Sequence, residues 1–262
     1  MRPELNVYAL PSLVDSAELA ETAAVVIDVL RASTTLIAAL EAGAKEIAPC
    51  GEIDEARRLA ADLPAGEAIL GGERNGRAVD GFDLGNSPHE YTSAAVGGRT
   101  VVYTTTNGTR ALLRCQAAAE VLVAGFVNVS AVCRRLTGRE RIAIVCAGTN
   151  GEISEDDVLL AGLMVERLHR QGGMTHRLNA QALTARETWL AAFALPITLG
   201  SEPLPPARLA AELRTSRGGR GLVPLGLDDD ILAAAHVDCY RLVPLLDPRT
   251  LRLRPAVESR PS

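Results

Sequence analysis

Lysine is nearly missing from this 262-residue chain: Lys45 is the only one among 27 basic residues, the rest being arginine. Schiff-base chemistry would have to rest on that one side chain, just ahead of a predicted strand. Genome composition accounts for the arginine bias equally well. There is no G-x-x-x-x-G-K-[ST] and no G-x-G-x-x-G, which argues against P-loop hydrolysis and nucleotide-dependent transfer. The five cysteines are odd in number and show no C-x-x-C spacing, so they read as reduced thiols, mostly small core residues. The four histidines (His89, His169, His176, His236) show no metal spacing, which argues against a zinc site. No run approaches the ~18 to 20 apolar residues of a membrane span. The opening "MRPELNVYALPSLVDSAE" lacks the apolar segment of a signal peptide, so a cytoplasmic address without membrane attachment is expected. Nor is there a basic surplus: a net charge of -5 speaks against a general nucleic-acid binder.

What is present is ordinary globular composition, 47% hydrophobic and 23% charged. Short β-branched runs alternate with helical patterns. "AAVVIDV" precedes a helix over Ser33–Glu41, "EIAPC" one over Ile53–Ala61, and "AILGG" a long polar loop with a helix from about Pro88. "TVVYTTT" leads to a helix over Thr109–Ala119, "VLVAG" to Val129–Leu136, and "RIAIVCAG" to Glu155–Arg170. Such alternation predicts an α/β fold: a largely parallel sheet with helices on both faces and a site built from loops at the strands' carboxyl ends. After about Gly172 the pattern weakens into alanine-rich helices, a proline-rich linker "LGSEPLPPAR", a strand-like "YRLVPLL" and a frayed tail "RPAVESRPS". A single domain over residues 1–262 is expected, with a smaller lobe after about 172 as the variant reading.

Four polar segments fall at predicted strand ends. In "DVLRASTT" a helix start, the hydroxyls of Ser33, Thr34 and Thr35 and the guanidinium of Arg31 suit an anion. Asp28 repels one, and a divalent cation between the two would reconcile them. The competing reading is a plain N-cap at Ser33 or Thr34, with Asp28 paired to Arg31. "TTTNGTR" repeats the theme with Thr105, Thr106, Asn107, Gly108 and Thr109; Arg110, early in a helix, opposes the dipole unless an anion lies near. The loop "GGERNGRAVDGFDLGNSPHEY" offers Glu73, Arg74, Asn75, Asp83, Asn86 and Ser87, and Ser87 with Glu90 makes a capping box after which Pro88 starts a helix. In "CAGTNGEISEDD", Ser154 caps a helix whose first turn holds Glu155, Asp156 and Asp157; these either complement the dipole or serve a hard cation such as Mg2+. Near the end, Arg217 and Arg220 either cover an anionic substrate or lie on a solvated turn, before Asp228, Asp229 and Asp230 at a helix start.

Taken in order, "VVIDVLRASTT", "GGERNG", "GFDLGNSP", "TTTNGTRAL", "CAGTNGEISEDD" and "GRGLVPLGLDDDI" closely resemble the 2-phosphosulfolactate phosphatases, from about Val25 to Asp238. The resemblance implies an Mg2+-dependent phosphomonoesterase that converts (2R)-phosphosulfolactate and water to (2R)-3-sulfolactate and phosphate, a step of coenzyme M biosynthesis. On that footing Asp28, Glu73 and Asp156 are expected to hold Mg2+ and Asp28, Arg31 and Arg74 to be catalytic, with Arg31, Arg74 or Arg220 stabilising the transition-state charge. Ser33, Thr34, Asn86, Ser87, Thr105, Thr106, Asn107, Gly108, Thr109 and Arg220 would bind the substrate. A small anionic organophosphate is the expected partner, with no nucleic acid; a homo-oligomer stays open. Leu30 stands where haloacid dehalogenase-type phosphatases carry a second aspartate, so direct attack by water is favoured over an aspartyl-phosphate. Two alternatives are a phosphatase for another small phosphorylated hydroxy acid, and a non-catalytic sensor of phosphorylated or sulfonated metabolites.

Overall fold

The computed structural model describes residues 3–171 and 174–256. In chain order the strands are β1 (Glu4–Tyr8), β2 (Ala23–Ile27), β3 (Glu46–Pro49), β4 (Ala68–Arg74), β5 (Arg77–Ala78), β6 (Thr100–Thr104), β7 (Glu120–Ala124), β8 (Arg141–Cys146), β9 (Arg177–Leu178), β10 (Pro244–Asp247) and β11 (Arg252–Pro255). The helices are α1 (Ala32–Glu41), α2 (Ile53–Ala61), α3 (Ser93–Val96), α4 (Gly108–Arg114), α5 (Val129–Leu136), α6 (Glu155–Gln171), α7 (Ala180–Ala192), α8 (Leu195–Leu199), α9 (Pro206–Thr215), α10 (Arg217–Leu222) and α11 (Asp228–Ala234). The expected α/β class, a mostly parallel sheet covered by helices, is what forms.

The strands run in the order β5-β4-β6-β3-β11-β10-β7-β2-β8-β1-β9. Strand β2 lies between β7 and β8, parallel to both, with Val25 opposite Leu122 and Ile144. All five of its residues are buried, and alternate side chains feed the two faces: Val25 and Ile27 join one core, Ala24 and Val26 the other. The first core includes Leu160, Met164 and Trp189 of α6 and α7; the second includes Leu36, Ile37 and Leu40 of α1.

Two parallel groups, β4-β6-β3 and β7-β2-β8-β1-β9, are joined by the C-terminal hairpin β10–β11. Its strands run antiparallel to β7 on one side and to β3 on the other. This insertion is not what the alternating pattern suggests, because the pattern has no signal for pairing between segments as distant as Leu245 and Leu122 or Leu253 and Ile47. Arg254 and Pro255, expected in the frayed tail, belong to β11, while residues 257–262 lie outside the described residues.

Strand β1 is also missing from the sequence reading; it pairs parallel with β8 from Glu4↔Arg141 to Tyr8↔Val145. In the long polar loop the reading is corrected twice. Strand β4 runs on to Arg74 and turns through Asn75 and Gly76, both with positive φ, into antiparallel β5. Asn-Gly is the two-residue hairpin signature, so the signal was present. Pro88–Glu90 forms only a 3-10 turn and Ser93–Val96 a single helical turn; the capping box does not form, because Ser87 and Glu90 bond elsewhere. Helix α4 stops at Arg114, short of the expected Ala119.

Candidate active site

Asp28 follows β2 at the sheet's carboxyl edge, and local hydrogen bonds fix it. Its N–H donates to Ser33 Oγ (2.9 Å), its carbonyl accepts from Ser33 N–H (2.8 Å), and its Oδ1 accepts from Ala32 N–H (3.2 Å). The anion at the start of α1 is therefore Asp28 itself, which resolves the conflict between a carboxylate and an anion-binding helix start. Opposite, α4 begins so near that a Cβ on Gly108 would meet Asp28 Oδ2 at 2.7 Å and Ala32 Cβ at 2.6 Å. Only glycine permits this approach.

Three further carboxylates come from other strand ends. Glu73, near the end of β4, accepts from Gly76 N–H (2.7 Å) and Thr106 N–H (2.8 Å), tying the β4–β5 turn to the loop after β6. Asp157, in α6, accepts from Val29 N–H (2.9 Å) and Gly148 N–H (3.0 Å), clasping the ends of β2 and β8. Asp156 accepts from Ser154 Oγ. All four acids are buried. Burial and the charge of Asp156, with a contribution from Glu73, push the Asp28 carboxyl up to about 7 against the pull of the Ala32 hydrogen bond and of Arg31. Burial also raises Asp156, and burial together with Asp156 and Asp28 raises Asp157.

Arg31 relieves this crowding only in part. Its guanidinium donates to Asp230 Oδ2 (2.7 Å) and to the Gly76 carbonyl (2.9 Å), with both members of the ion pair buried. Its partner is thus neither Asp28 nor an open anion site but a residue of α11, 199 positions away in sequence. Asp230 Oδ1 accepts from Ser87 Oγ (2.6 Å).

Asp28, Arg31, Glu73, Thr106, Asn107 and Asn150 are among the residues around a cavity of about 190 Å³. Asn107 Oδ1 accepts from Asn150 N–H (3.1 Å), and Thr106 Oγ1 is buried with no hydrogen-bond partner. Gly218 of α10 closes one wall, where an added Cβ would meet both Asp156 oxygens at 3.1 Å.

Among the described residues, no three His, Cys, Asp or Glu side chains stand together closely enough to hold a metal ion. Of the three acids expected to hold Mg2+, Asp28 and Glu73 line the cavity and Asp156 does not. Mg2+ usually takes one or two protein carboxylates and keeps several waters, which the Asp28 carboxylate at the cavity wall fits. Glu73 has both oxygens engaged by backbone N–H groups, and Asp156 lies behind Gly218.

Other expected site residues are used structurally. Thr34 Oγ1 donates to the Val29 carbonyl (2.9 Å), and Thr105 and Thr109 bond each other across the start of α4. Asn86 lines the cavity with its amide oxygen accepting from Tyr103 Oη. Arg74 is turned away, to Thr104 Oγ1 (2.9 Å) and the Gly51 carbonyl (3.3 Å). Arg220 is 59% exposed and faces the Thr215 carbonyl and Glu155 rather than the cavity. Arg110 is exposed as well. Asp157, expected either to complement the dipole or to serve a cation, instead clasps two strand ends, and Asp230 was given no role because acids in a helix's first turn look like dipole partners; nothing in sequence says that these two are buried. Four cysteines are buried and Cys239 is exposed; none lines the cavity.

The family model for 2-phosphosulpholactate phosphatase matches residues 8–248. A probable 2-phosphosulfolactate phosphatase of Symbiobacterium thermophilum is 39% identical over 229 residues, covering 87% of this chain and 92% of its own. Its counterpart in Deinococcus radiodurans is 42% identical over 229 residues, 86% of this chain and 88% of the relative. That of Gloeobacter violaceus is 34% identical over 243 residues, 92% and 94% of the two chains.

Proposed function

Because this chain belongs to the 2-phosphosulfolactate phosphatase family, we propose that it hydrolyses (2R)-O-phospho-3-sulfolactate to (2R)-3-sulfolactate and phosphate, with Mg2+ as cofactor, as in coenzyme M biosynthesis. The observation that carries the cation is the charge balance of the cavity. Two carboxylates, Asp28 and Glu73, line it against one guanidinium whose charge is already matched by Asp230. A substrate with phosphate, carboxylate and sulfonate groups would be repelled by such a wall. Asp28 would hold a divalent ion that cancels the charge of the two carboxylates, and the ion would supply neutralisation of the phosphoryl oxygens and a more acidic attacking water.

The chain's own groups then divide the remaining work. Asp28 anchors the cation at a point fixed by three local hydrogen bonds. Arg31, held rigidly by its two partners, presents its guanidinium edge at the cavity wall to an anionic oxygen. Thr106 Oγ1, otherwise unpartnered, and the amides of Asn107 and Asn150 give neutral polar contacts that orient the substrate without adding charge. Glu73 sets the position of the Thr106 loop through its backbone N–H. The absence of the second aspartate that would serve an aspartyl-phosphate pathway supports direct attack by water.

The test is phosphate release from phosphosulfolactate with Mg2+ and with excess EDTA, beside phospholactate, phosphoglycerate and an aryl phosphate. Fast release from phosphosulfolactate that EDTA abolishes is expected. Release from another ester alone would change the substrate, and release untouched by EDTA would remove the cation.

A further inference from the structure

The Asp230–Arg31 pair sits at the end of a hydrogen-bonded series that crosses the site. Ser87 Oγ donates to Asp230, Arg31 donates to Asp230 and to Gly76, Gly76 donates to Glu73, and Thr106 donates to Glu73. Arg31, Gly76, Glu73 and Thr106 line the cavity; Asp230 and Ser87 do not. Asp230 is 2% exposed and can therefore act on a ligand only through Arg31. An arginine at a phosphate cavity usually offers a free charge. Here a buried carboxylate 2.7 Å away cancels it while leaving the guanidinium in place.

We infer that Asp230 is a positioning residue: by matching the charge of Arg31 it weakens the cavity's unaided hold on anions, so that phosphate binding waits on a cation. The inference rests on the reading of the cavity as a phosphate-ester site. Its physical content is a sign. A residue that merely supports the fold weakens binding when altered, whereas removing the charge of Asp230 strengthens it. Asparagine is the appropriate replacement, since its amide oxygen still accepts a bond from Arg31, and the Gly76 carbonyl continues to hold the other nitrogen.

The experiment is calorimetric titration of the full chain with inorganic phosphate, in EDTA and in Mg2+, for wild type, Asp230→Asn and the double variant Arg31→Gln/Asp230→Asn. Wild type should bind phosphate measurably only with Mg2+. Asp230→Asn should bind it in EDTA, with an affinity at least about tenfold above wild type. The double variant should lose that gain. An unchanged or weaker affinity in Asp230→Asn overturns the inference, as does a gain that survives in the double variant. If circular dichroism shows Asp230→Asn unfolded, Asp230→Ser takes its place in the same series, with the same outcomes for and against. Turnover of phosphosulfolactate is followed in parallel. Its absence with the phosphate gain intact counts against the substrate, and its presence without the gain counts against Asp230.

Discussion

Glu166, midway along α6, and Asp156 and Asp157, in its first turn, are all buried acids on one helix, yet their surroundings are opposite. Around Glu166 the chain places Arg170 and Arg186, each hydrogen-bonded to one carboxylate oxygen. Burial works to raise the Glu166 carboxyl, but the bonds and charges of Arg186 and Arg170 overcome it and hold the group below the usual carboxylate range. At the other end of the helix, burial raises Asp28, Asp156 and Asp157, the charges of neighbouring acids add to it at Asp28 and Asp157, and among the described residues no arginine pairs with Asp156 or Asp157. The guanidinium at the cavity, Arg31, is committed to Asp230. A carboxylate placed for architecture receives its cations from within the chain. A group of buried carboxylates without a cation from the chain is destabilising in isolation, and the proposed function assigns its cation to the solvent.

The largest break in this comparison is Asp28→Asn. Phosphate release should fall by roughly 10³-fold or more, while the metal-free protein melts at a higher temperature because like charges have been relieved. Turnover assays and scanning calorimetry read the two effects, and a variant that is both active and less stable would erase the distinction between the two ends of α6. Next comes Glu166→Gln. Here stability should drop by about 1–2 kcal/mol in urea, a value kept low because Arg170 and Arg186 are partly exposed, and kcat per folded molecule should stay at the wild-type level.

A subtler contrast is in pH. The Asp28 carboxyl is raised from 3.8 to about 7, so the folded protein binds this proton more tightly than the unfolded chain. Its contribution to stability is therefore fully present below pH ~4 and is lost as pH rises through about 7. Mg2+ should accordingly raise the melting temperature more at pH 8 than at pH 5, and equal shifts at both would argue that Asp28 does not meet the ion. The smallest effect is expected at Arg220→Gln, with turnover within about twofold of wild type, since this side chain is turned to solvent. A large loss there would mean that the α10 turn closes further over substrate than its present position indicates.

The sequence carried the parallel scaffold because β2, β6, β7 and β8 are short buried apolar runs each followed by a helical period, a signal local to each segment. It carried Asp28 and Glu73 for the same reason: polar residues interrupt apolar strands where strands end. What it could not carry was pairing. Whether Arg31 meets Asp28 or Asp230 depends on α11 folding back over the loop from β4, and whether Arg74 faces the cavity depends on the alternation imposed by the β4–β5 hairpin. Hydroxyls showed a similar limit. Ser33, Thr34, Thr105 and Thr109 have the composition of an anion cradle, but backbone groups left bare at strand ends claim them.

The hairpin β10–β11 has a consequence for how the protein comes to exist in a cell. Synthesis runs from the amino end, and the two parallel groups of strands that it joins are complete long before residues 244–255 are made. Until those residues dock, β3 and β7 present bare edges to each other, and the loops of β4 and β6 have no fixed relation to those of β2 and β8. The cavity draws on both groups, and α10 and α11, which wall it and hold Arg31, are also made late. A chain stopped short of residue 244 would thus hold Asp28, Glu73 and Arg31 and lack the hairpin that joins the two groups of strands around the cavity.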